Sequence, residues 1–282
     1  MLESYKRLAA MDKKGITVSR VFSAIWRRIR FLPDYFWFYL PFGFPRENRK
    51  KLLGLNNSHK GERCFILANG PSLKKVNFDL LKNEFTIGMN RIYMMKEVNG
   101  FVPNCVACMD EDTLLFPFRK DFDALQMMSF FPFRDRKWFS KNDNQYFFGS
   151  GRFSPKFQTN AAGNMGNGKT VAYLCIQMAF CMGFDKVFII GKDHTYNVSA
   201  KPGEKIDAKD DNGNHFIKGY YKEGTKWDAP DHETEEYAYC LARKTFEKYG
   251  RGIFNATEGG KLEIFERVDF NSLFLSSNCK SL

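Results

Sequence analysis

The stretch GNMGNGKT, residues 163–170, matches the pattern G-x-x-x-x-G-K-[ST] of phosphate-binding loops. Such a loop holds phosphates with its backbone N–H groups and its Lys, and it lies between a buried strand and a helix. The apolar run that starts at Val171 supplies a helix, but residues 154–162 include a Pro and a Lys and lack a run of β-branched residues. We therefore predict that the match arises by chance, in a loop whose glycines and Lys169 line a ligand cleft.

Polar side chains recur at the ends of several predicted strands, where α/β proteins place their ligands. They are Asn69, Gly70, Pro71 and Ser72 after the first strand, Asn90 after the second, Asp110 and Asp112 after the third, and Asp193, His194 and Tyr196 after the fifth. Because the carboxyl ends of parallel strands meet at one edge of a sheet, these residues are predicted to surround one ligand site. A helix that starts at Ser72 would also offer its N–H groups to phosphate. Taken singly, each residue is also consistent with an ordinary turn or a solvated loop.

Short apolar runs alternate with helical stretches from Glu62 onward, which predicts a doubly wound α/β fold with a mostly parallel, Rossmann-like sheet. The predicted strands are residues 63–68, 85–89, 104–109, 125–131, 186–191 and 252–257, and the predicted helices are 72–83, 170–183 and 233–250. The segment of residues 197–231 is too polar for the core and is predicted to be a lid over the site. We divide the chain into an N-terminal segment, 1–58, and a Rossmann-like domain, 59–282.

The N-terminal segment is basic and aromatic. Residues 1–53 carry 12 of the 43 Lys and Arg but only four of the 32 acids, whereas the whole chain has a net charge of +11. The stretch FLPDYFWFYLPFGF, residues 31–44, is shorter than the ~20 residues that a spanning helix needs, so we expect no transmembrane helix. Arginines beside aromatic rings suit the surface of an anionic membrane, but the same stretch could pack on the domain or form an oligomer contact.

Several kinds of partner and site are not expected. Nucleic acid is one, because the basic residues do not continue into the globular part. The seven cysteines lie mostly in apolar runs, and Cys105 and Cys108 form a lone CxxC, so we predict buried thiols in a reducing, cytoplasmic compartment. No secretory signal is recognisable. No pair of histidines has the spacing of metal ligands, so no metal site is predicted.

The motifs ILANGPSLKKV, GMNRIYM and MGFDKVFIIGKDHTY, in this order, resemble the family-42 bacterial sialyltransferases. They also resemble the related MptE-like proteins (domain of unknown function 115), which include flagellin-glycosylating factors and an archaeal hydroxymethylpterin diphosphokinase. The resemblance covers about residues 62–258. This chain departs from the sialyltransferases at Asp110, where they have an asparagine, in the alignment of the phosphate-holding tyrosines, and in lacking a Ser-Gly pair before the long helix.

The resemblance implies a glycosyltransferase that moves a sugar, such as a nonulosonic acid, from a CMP-activated donor to a cell-surface glycan acceptor. It implies that His232 is the general base, and that Tyr196, or Tyr220 or Tyr221 from the lid, contacts the leaving phosphate. The implied donor-binding residues are Asn69, Gly70, Pro71, Ser72, Asn90, Asp110, Thr170, Asp193, His194 and Tyr196. No cofactor is required for this reaction, and the protein is expected in the cytoplasm or at the inner face of the membrane.

Two alternatives stay open. The first is a diphosphokinase of the MptE-like type, which would move pyrophosphate from ATP to a pterin alcohol with Mg²⁺ on Asp110, Asp112 and Asp193. The second is a non-catalytic nucleotide- or sugar-binding protein. On spacing alone, His232 is equally consistent with capping the helix that follows it, and His194 with a buried structural role.

Overall fold

The structure is a computed structural model, and it describes residues 32–151, 155–196, 200–208 and 213–275. The chain divides into two units between Arg46 and Glu47. In the first unit, the described residues are helical over 32–39. The predicted division after residue 58 is not tested by these units and stays a prediction. No helix in the described part of the chain is long and apolar enough to span a bilayer.

A parallel sheet forms the centre of the second unit, and within the described residues it has nine strands. They are β1 (Arg63–Leu67), β2 (Phe85–Met89), β3 (Cys105–Ala107), β4 (Met128–Pro132), β5 (Gln145–Gly151), β6 (Asn164–Gly166), β7 (Lys186–Ile190), β10 (Gly252–Asn255) and β11 (Glu266–Arg267), while β8 (Lys205–Asp207) and β9 (Lys226–Asp228) form a separate antiparallel pair. The spatial order in the sheet is β11-β10-β7-β1-β2-β3-β4-β5-β6, and all neighbouring strands are parallel. The predicted doubly wound α/β fold is confirmed.

The strand order reverses beside β1. The chain runs outward from β1 to β6, returns to place β7 on the other side of β1, and then adds β10 and β11. In the register of the sheet, Leu67 of β1 therefore pairs with Gly88 on one side and with Ile190 on the other. In open α/β sheets such a reversal leaves a crevice at the carboxyl ends of the two diverging strands. The segments that follow Leu67 and Ile190 are thus placed at the mouth of this crevice.

Besides the helical residues 32–39, the α-helices in the described part of the chain are α1 (Gly43–Gly54), α2 (Met95–Asn99), α3 (Arg119–Asp123), α4 (Val171–Met182), α5 (His232–Lys248) and α6 (Ser272–Leu275). The longest buried one is α4, which is covered from Ala172 to Met182 and contacts β1, β2, β3 and α5. It begins after Thr170, whose hydroxyl accepts the N–H of Ala172, and it ends at Gly183, which has a left-handed φ of 96°. Each buried Leu, Ile or Met contributes roughly 1.5–3 kcal/mol. This burial anchors the segment before α4 to the sheet.

The predicted helices over residues 170–183 and 233–250 are confirmed by α4 and α5. In α5 the carboxylate of Asp231 accepts the N–H of Thr234 at 3.1 Å and so caps the helix, while Ala238 and Ala242 lie on its buried face. Asp231, rather than His232, is therefore the capping residue. This leaves the imidazole of His232 available for another contact.

The predicted helix over residues 72–83 is wrong. The chain instead forms two 3₁₀ turns, Pro71–Lys75 and Phe78–Leu81, separated by extended backbone at Val76 and Asn77. The side chain of Asn77 accepts the N–H of Asp79 at 3.1 Å and starts the second turn. Short polar side chains of this kind compete with helical hydrogen bonds, which explains the interruption.

The segment of residues 197–231 is less peripheral than its polarity predicts. Among its described residues, β8 and β9 form a hairpin, and the side chains of Phe216, Tyr220 and Trp227 are buried. The aromatic residues, spaced along an otherwise hydrophilic stretch, supply the apolar contacts that hold it. The segment therefore contributes to the core as well as covering it.

Six cysteines fall within the described residues, and all of them are free. Five are buried, as the apolar runs around them predict, and burial raises the pKa of each of these thiols: Cys64, Cys105, Cys108, Cys175 and Cys181. Such thiols are poor nucleophiles and poor metal ligands because they stay protonated.

Candidate functional site

A cleft of about 630 Å³ opens at the carboxyl ends of β1, β2, β3 and β7. Eight of the predicted site residues line it: Asn69, Gly70, Asn90, Asp110, Thr170, Asp193, His194 and Tyr196. The remaining three lie next to lining residues: Pro71 follows Gly70, Ser72 is bonded to Asp193, and His232 contacts His194 and Tyr196. The fold thus brings the predicted residues together, and the roles assigned to them stay predictions.

The turn after β1 packs against the loop after β7 with no room for a side chain at Gly70. A Cβ atom there would lie 1.9 Å from Oδ2 of Asp193 and 2.6 Å from the carbonyl oxygen of Gly191. The same Oδ2 accepts the hydroxyl of Ser72 at 3.0 Å and the N–H of Ser72 at 3.3 Å. Asp193 therefore occupies the start of the turn, where we predicted phosphate. A phosphate ligand must displace this carboxylate or be held by other groups.

Three cleft residues have left-handed backbone although none of them is glycine. The φ angle is 53° at Asn90, 61° at Lys169 and 55° at His194. This conformation costs an L-residue about 1–2 kcal/mol, and less for Asn, so it persists where the surroundings fix a side-chain direction. A buried hydrogen-bond acceptor lies beside them, at Asn69. Its Nδ2 donates to the carbonyl of Met89 at 3.0 Å, while its buried Oδ1 has no hydrogen-bond partner among the described residues.

A buried ion pair closes the back of the cleft. Nζ of Lys192, the second residue after β7, lies 3.1 Å from Oε2 of Glu235 in the first turn of α5, and both side chains are less than a tenth exposed. Burial by itself would lower the pKa of Lys192, but the carboxylate of Glu235 outweighs it and holds that pKa well above its ordinary value. Lys192 is therefore charged at neutral pH.

Two histidines face each other beside this pair. The ring centroids of His194 and His232 are 4.5 Å apart. Nδ1 of His194 lies 3.6 Å from Oε2 of Glu235, and its Nε2 lies 3.3 Å from Oε1 of Glu236. Burial lowers the pKa of His194 to about 3, with smaller contributions from Lys192 and from the neighbouring ring of His232. The ring of His194 is thus neutral, while Nδ1 of His232 is buried without a hydrogen-bond partner among the described residues.

The cluster also has the composition of a metal site. His194, His232 and Glu235 each offer a ligand atom within 4.8 Å of the others. Two imidazoles and a carboxylate can bind Zn²⁺. However, the ammonium of Lys192 already neutralises Glu235, and a divalent ion on that carboxylate would lie beside a buried positive charge. The arrangement therefore favours a network in which Glu235 pairs with Lys192 and lies beside the ring of His194.

The GNMGNGKT stretch does not fold as a phosphate-binding loop. Its first part is β6, at the end of the sheet in the described residues, and only a short turn separates β6 from α4. The N–H of Gly166 donates to Oε1 of Gln177 at 2.8 Å, and the N–H of Lys169 donates to Oδ1 of Asn167 at 2.8 Å. A phosphate loop would offer such N–H groups to its ligand. Here they are used within the protein, which supports the interpretation of a chance match.

Carboxylates outnumber cations around the cleft. Seven Asp or Glu residues line it, against Arg134, Lys169 and Lys192. Lys192 is paired with Glu235, and Nε of Arg134 lies 3.2 Å from Oε2 of Glu111. Within the described residues, Lys169 is therefore the cleft cation without a carboxylate partner. Burial raises the pKa of Asp110, although its Oδ1 accepts the N–H of Thr113 at 3.1 Å. An anionic ligand is therefore attracted by Lys169 or needs a cation of its own.

The described part of residues 197–231 is fixed to the ends of β1 and β2. The N–H of Phe216 donates to the carbonyl of Asn69 at 2.9 Å. The buried guanidinium of Arg91 donates to the carbonyl of Gly219 at 3.0 Å and to that of Tyr220. These bonds hold the predicted lid over the cleft.

Of the three tyrosines considered for the leaving phosphate, Tyr196 and Tyr221 line the cleft. Tyr220 is fully buried, burial raises its pKa well above the ordinary value, and its hydroxyl accepts the N–H of Arg91 at 3.4 Å. The ring of Trp227 lies 5.7 Å from that of Tyr196 and 6.2 Å from that of Tyr221, which makes an aromatic wall. Tyr196 and Tyr221, rather than Tyr220, are placed to meet a ligand.

Sequence reasoning missed Lys192, Glu235 and Arg91. Two signals could have found the ion pair. Lys192 lies inside the IIGKDHTY motif, at the end of a strand that points to the site. Glu235 follows His232 by three residues on a predicted helix, and residues three apart share a helix face. Nothing in the sequence signals that Arg91 reaches a segment far along the chain.

The fold and the cleft place this chain among the doubly wound α/β proteins with a cleft at the switch point of the sheet. The family described as 6-hydroxymethylpterin diphosphokinase MptE-like matches residues 45–199, more than half of the chain. The chain therefore belongs to this MptE-like family, and the predicted resemblance to it is confirmed.

Among solved structures, the chain is similar to the MAf glycosyltransferase from Magnetospirillum magneticum AMB-1. The TM-score is 0.45 at 14% sequence identity, over 86% of this chain and 41% of that protein. The chain thus spans less than half of the length of this neighbour. None of the curated proteins matches the sequence.

Proposed function

We propose that the protein is a glycosyltransferase that moves a sugar, a nonulosonic acid such as sialic acid, from a CMP-activated donor to a cell-surface glycan. One observation carries this proposal: His232 lies against the neutral ring of His194, at the edge of the cleft that collects the polar residues after β1, β2, β3 and β7. Glycosyl transfer needs a base for the acceptor hydroxyl and polar groups for a leaving phosphate. This cleft offers candidates for both.

His232 is the proposed base. The acceptor hydroxyl oxygen attacks the anomeric carbon, the bond from that carbon to the phosphate oxygen breaks, and CMP leaves with the electron pair. A ring nitrogen of His232 takes the hydroxyl proton. His194 cannot serve as well, because a ring whose pKa is about 3 is a weak base at neutral pH. Glu235, on the same helix face as His232, stabilises the imidazolium that forms.

The donor is proposed to lie along the ends of β1 and β2. Lys169 supplies the cation for the phosphate, because the other cleft cations are paired with carboxylates. The buried Oδ1 of Asn69 accepts a hydrogen bond from a donor hydroxyl or amino group. Tyr196 and Tyr221 are the proposed hydroxyl donors to the leaving phosphate. Gly70 and Asn90 position the backbone beside it.

A second candidate is a diphosphokinase that moves pyrophosphate from ATP to a pterin alcohol. Its support is the family description together with the surplus of carboxylates in the cleft. Asp110 and Asp112, which follow β3, would hold Mg²⁺. Asp193 is a weaker ligand candidate than the sequence suggested, because Ser72 already uses its Oδ2.

The proposed setting follows from the proposed acceptor. Assembly of a cell-surface glycan from a CMP-sugar places the protein in the cytoplasm or at the inner face of the membrane. No cofactor is required for the CMP-dependent reaction, and nucleic acid is not a proposed partner. The oligomeric state of the protein is a property to be measured.

Thermal-shift titrations with CMP, CDP, UDP and ATP, each with EDTA or with Mg²⁺, test the proposal. Stabilisation by CMP in EDTA, larger than that by UDP, is the expected result. Stabilisation by ATP only with Mg²⁺, and release of AMP when 6-hydroxymethylpterin is added, would favour the diphosphokinase. No shift with any nucleotide would contradict both enzymatic functions and leave the non-catalytic protein. An assay for the release of CMP from a CMP-sugar would then check that this protein has no transferase activity.

A further inference from the structure

Exposed apolar side chains are concentrated in one short stretch of the chain. Within the described residues, eleven large apolar side chains are exposed, and five of them fall between residues 32 and 42: Leu32, Tyr35, Phe36, Trp37 and Phe42. Four of these five are aromatic. Exposed apolar side chains that occur singly are normal, but a contiguous group marks an interaction surface.

The helical geometry brings several of these side chains together. Residues 32–39 are helical, and Leu32, Tyr35, Phe36 and Tyr39 follow the i, i+3, i+4, i+7 spacing of one helix face. The rings of Tyr35 and Tyr39 lie 4.9 Å apart, and those of Tyr35 and Phe36 lie 6.1 Å apart. Phe38 is buried, so the helix has one covered and one open side. We call the open side, which carries the exposed side chains of Leu32, Tyr35, Phe36 and Trp37, the aromatic face.

The composition of the face and the charge of the sequence that carries it indicate the occupant. Residues 1–53 contain 12 Lys or Arg and four acids. Rings of Trp and Tyr prefer the headgroup level of a bilayer, where their polar atoms stay hydrated, and basic residues are attracted to anionic lipid. A protein partner of matching chemistry would need its own acidic and apolar surface, whereas an anionic bilayer offers both at once. The described helix that carries the face is too short to span a bilayer, so the proposed contact is with the bilayer surface.

We propose that the aromatic face docks on the surface of a bilayer that contains anionic lipid. The rings of Phe36 and Trp37 enter the headgroup region, and the basic residues of the N-terminal segment hold the protein there. Ions in solution screen the attraction between basic residues and such a surface, so salt should weaken the binding. This inference is independent of the reaction that the cleft performs.

Sedimentation of the full chain with vesicles tests the proposal. With vesicles of 70% phosphatidylcholine and 30% phosphatidylglycerol, the wild type is expected to sediment at low salt and to be released by high salt. The double variant Phe36→Ser, Trp37→Ser should bind at least about tenfold more weakly, because two apolar side chains lose their burial. The matched control is Phe116→Ser, Tyr249→Ser, which removes two aromatic side chains of similar exposure elsewhere and should bind like the wild type.

Quenching separates insertion from mere attraction by charge. Lipids with brominated acyl chains should quench the fluorescence of the bound wild type more than that of Trp37→Phe, which keeps an apolar ring and should sediment equally well. The proposal is overturned if the wild type does not sediment with the anionic vesicles, or if the double variant binds like the control. It is also overturned if the wild type is a dimer without lipid and the double variant is a monomer, since the face would then contact a second copy.

Discussion

Nζ of Lys192 lies 3.1 Å from Oε2 of Glu235, and this ion pair joins the end of the strand β7 to the first turn of α5 behind the cleft. Both side chains are buried, so water cannot solvate either charge and each needs the other as its partner. The same carboxylate oxygen is 3.6 Å from Nδ1 of His194. One glutamate therefore neutralises a buried lysine and lies beside the ring of His194.

Glu235→Gln should strongly destabilise the protein, by about 3–5 kcal/mol, because it leaves the buried ammonium of Lys192 without a counter-charge. Lys192→Met combined with Glu235→Leu should recover most of this loss, since an apolar pair needs no compensation. Urea unfolding measures both. Glu258→Gln is the control, because its partner Lys75 is exposed and its pair should matter little. Equal unfolding midpoints for Glu235→Gln and Glu258→Gln would refute the account of the buried pair.

The lowered pKa of His194 predicts how stability depends on pH. The pKa is about 3 in the folded protein and about 6.5 in an unfolded chain. Between these values only the unfolded state binds the proton, so stability rises with pH across this window and is lost on acidification. The groups that face the ring are Lys192, Glu235, Glu236, His232 and Tyr239.

His194→Asn isolates this effect, because Asn tolerates the left-handed backbone and does not titrate. Between pH 7 and pH 5 the melting temperature of the wild type should fall more steeply than that of the variant. The carboxylates other than Glu235 and Glu236, which lie beside the ring, contribute alike to both curves. Parallel curves would show that His194 is not held neutral by burial.

Much of the fold could be predicted because its signals are local. β1, β2 and β7 are apolar runs bounded by turn residues, and the residue types that follow them predict one edge with a site. β5 was missed because its apolar run, from Tyr146 to Phe148, is only three residues long, although turn residues lie on both sides of it. The helix predicted over residues 72–83 failed for another local reason, the cap formed by Asn77.

Gly70→Ala should disrupt the site. A Cβ atom would overlap both Asp193 and the backbone of Gly191, and backbone cannot move aside as a flexible side chain can. We expect a lower melting temperature and loss of the shift produced by CMP. Gly54→Ala is the matched control, since a Cβ atom there meets nothing within 4 Å. If Gly70→Ala retained the full nucleotide shift, the turn after β1 would not be part of the donor site.

Lys169→Gly separates the two interpretations of GNMGNGKT. Glycine suits the φ of 61° at this position, so the fold should be retained. We expect no Mg²⁺-dependent ATP hydrolysis in the wild type or the variant, and CMP-donor affinity about tenfold lower in the variant because a charged hydrogen bond to phosphate is lost. Calorimetric titration and phosphate release measure these quantities. Robust ATP hydrolysis that disappears in the variant would restore the phosphate-loop interpretation.

The parts of the site that escaped prediction depend on contacts between distant segments. Asp193 bonds to Ser72 and Lys192 to Glu235 across long stretches of chain, and no spacing rule links such pairs. The approach of His194 to His232 is of the same kind, which is why histidine spacing alone gave no hint of a cluster. A sequence therefore predicts which strand ends carry polar residues. It predicts less readily which of these side chains contact each other in the folded protein.

The most direct test of the account is the release of CMP from CMP-N-acetylneuraminic acid by the wild type, His232→Asn and His59→Asn. Asn at position 232 keeps a polar side chain but cannot take the proton, so turnover should fall by about 10²–10⁴-fold while the donor dissociation constant changes little. His59, which stacks on Phe184 away from the cleft, provides the same substitution as a control with near-normal turnover. Near-normal turnover in His232→Asn, or a collapse of donor binding in place of turnover, would contradict the assignment of His232 as the base.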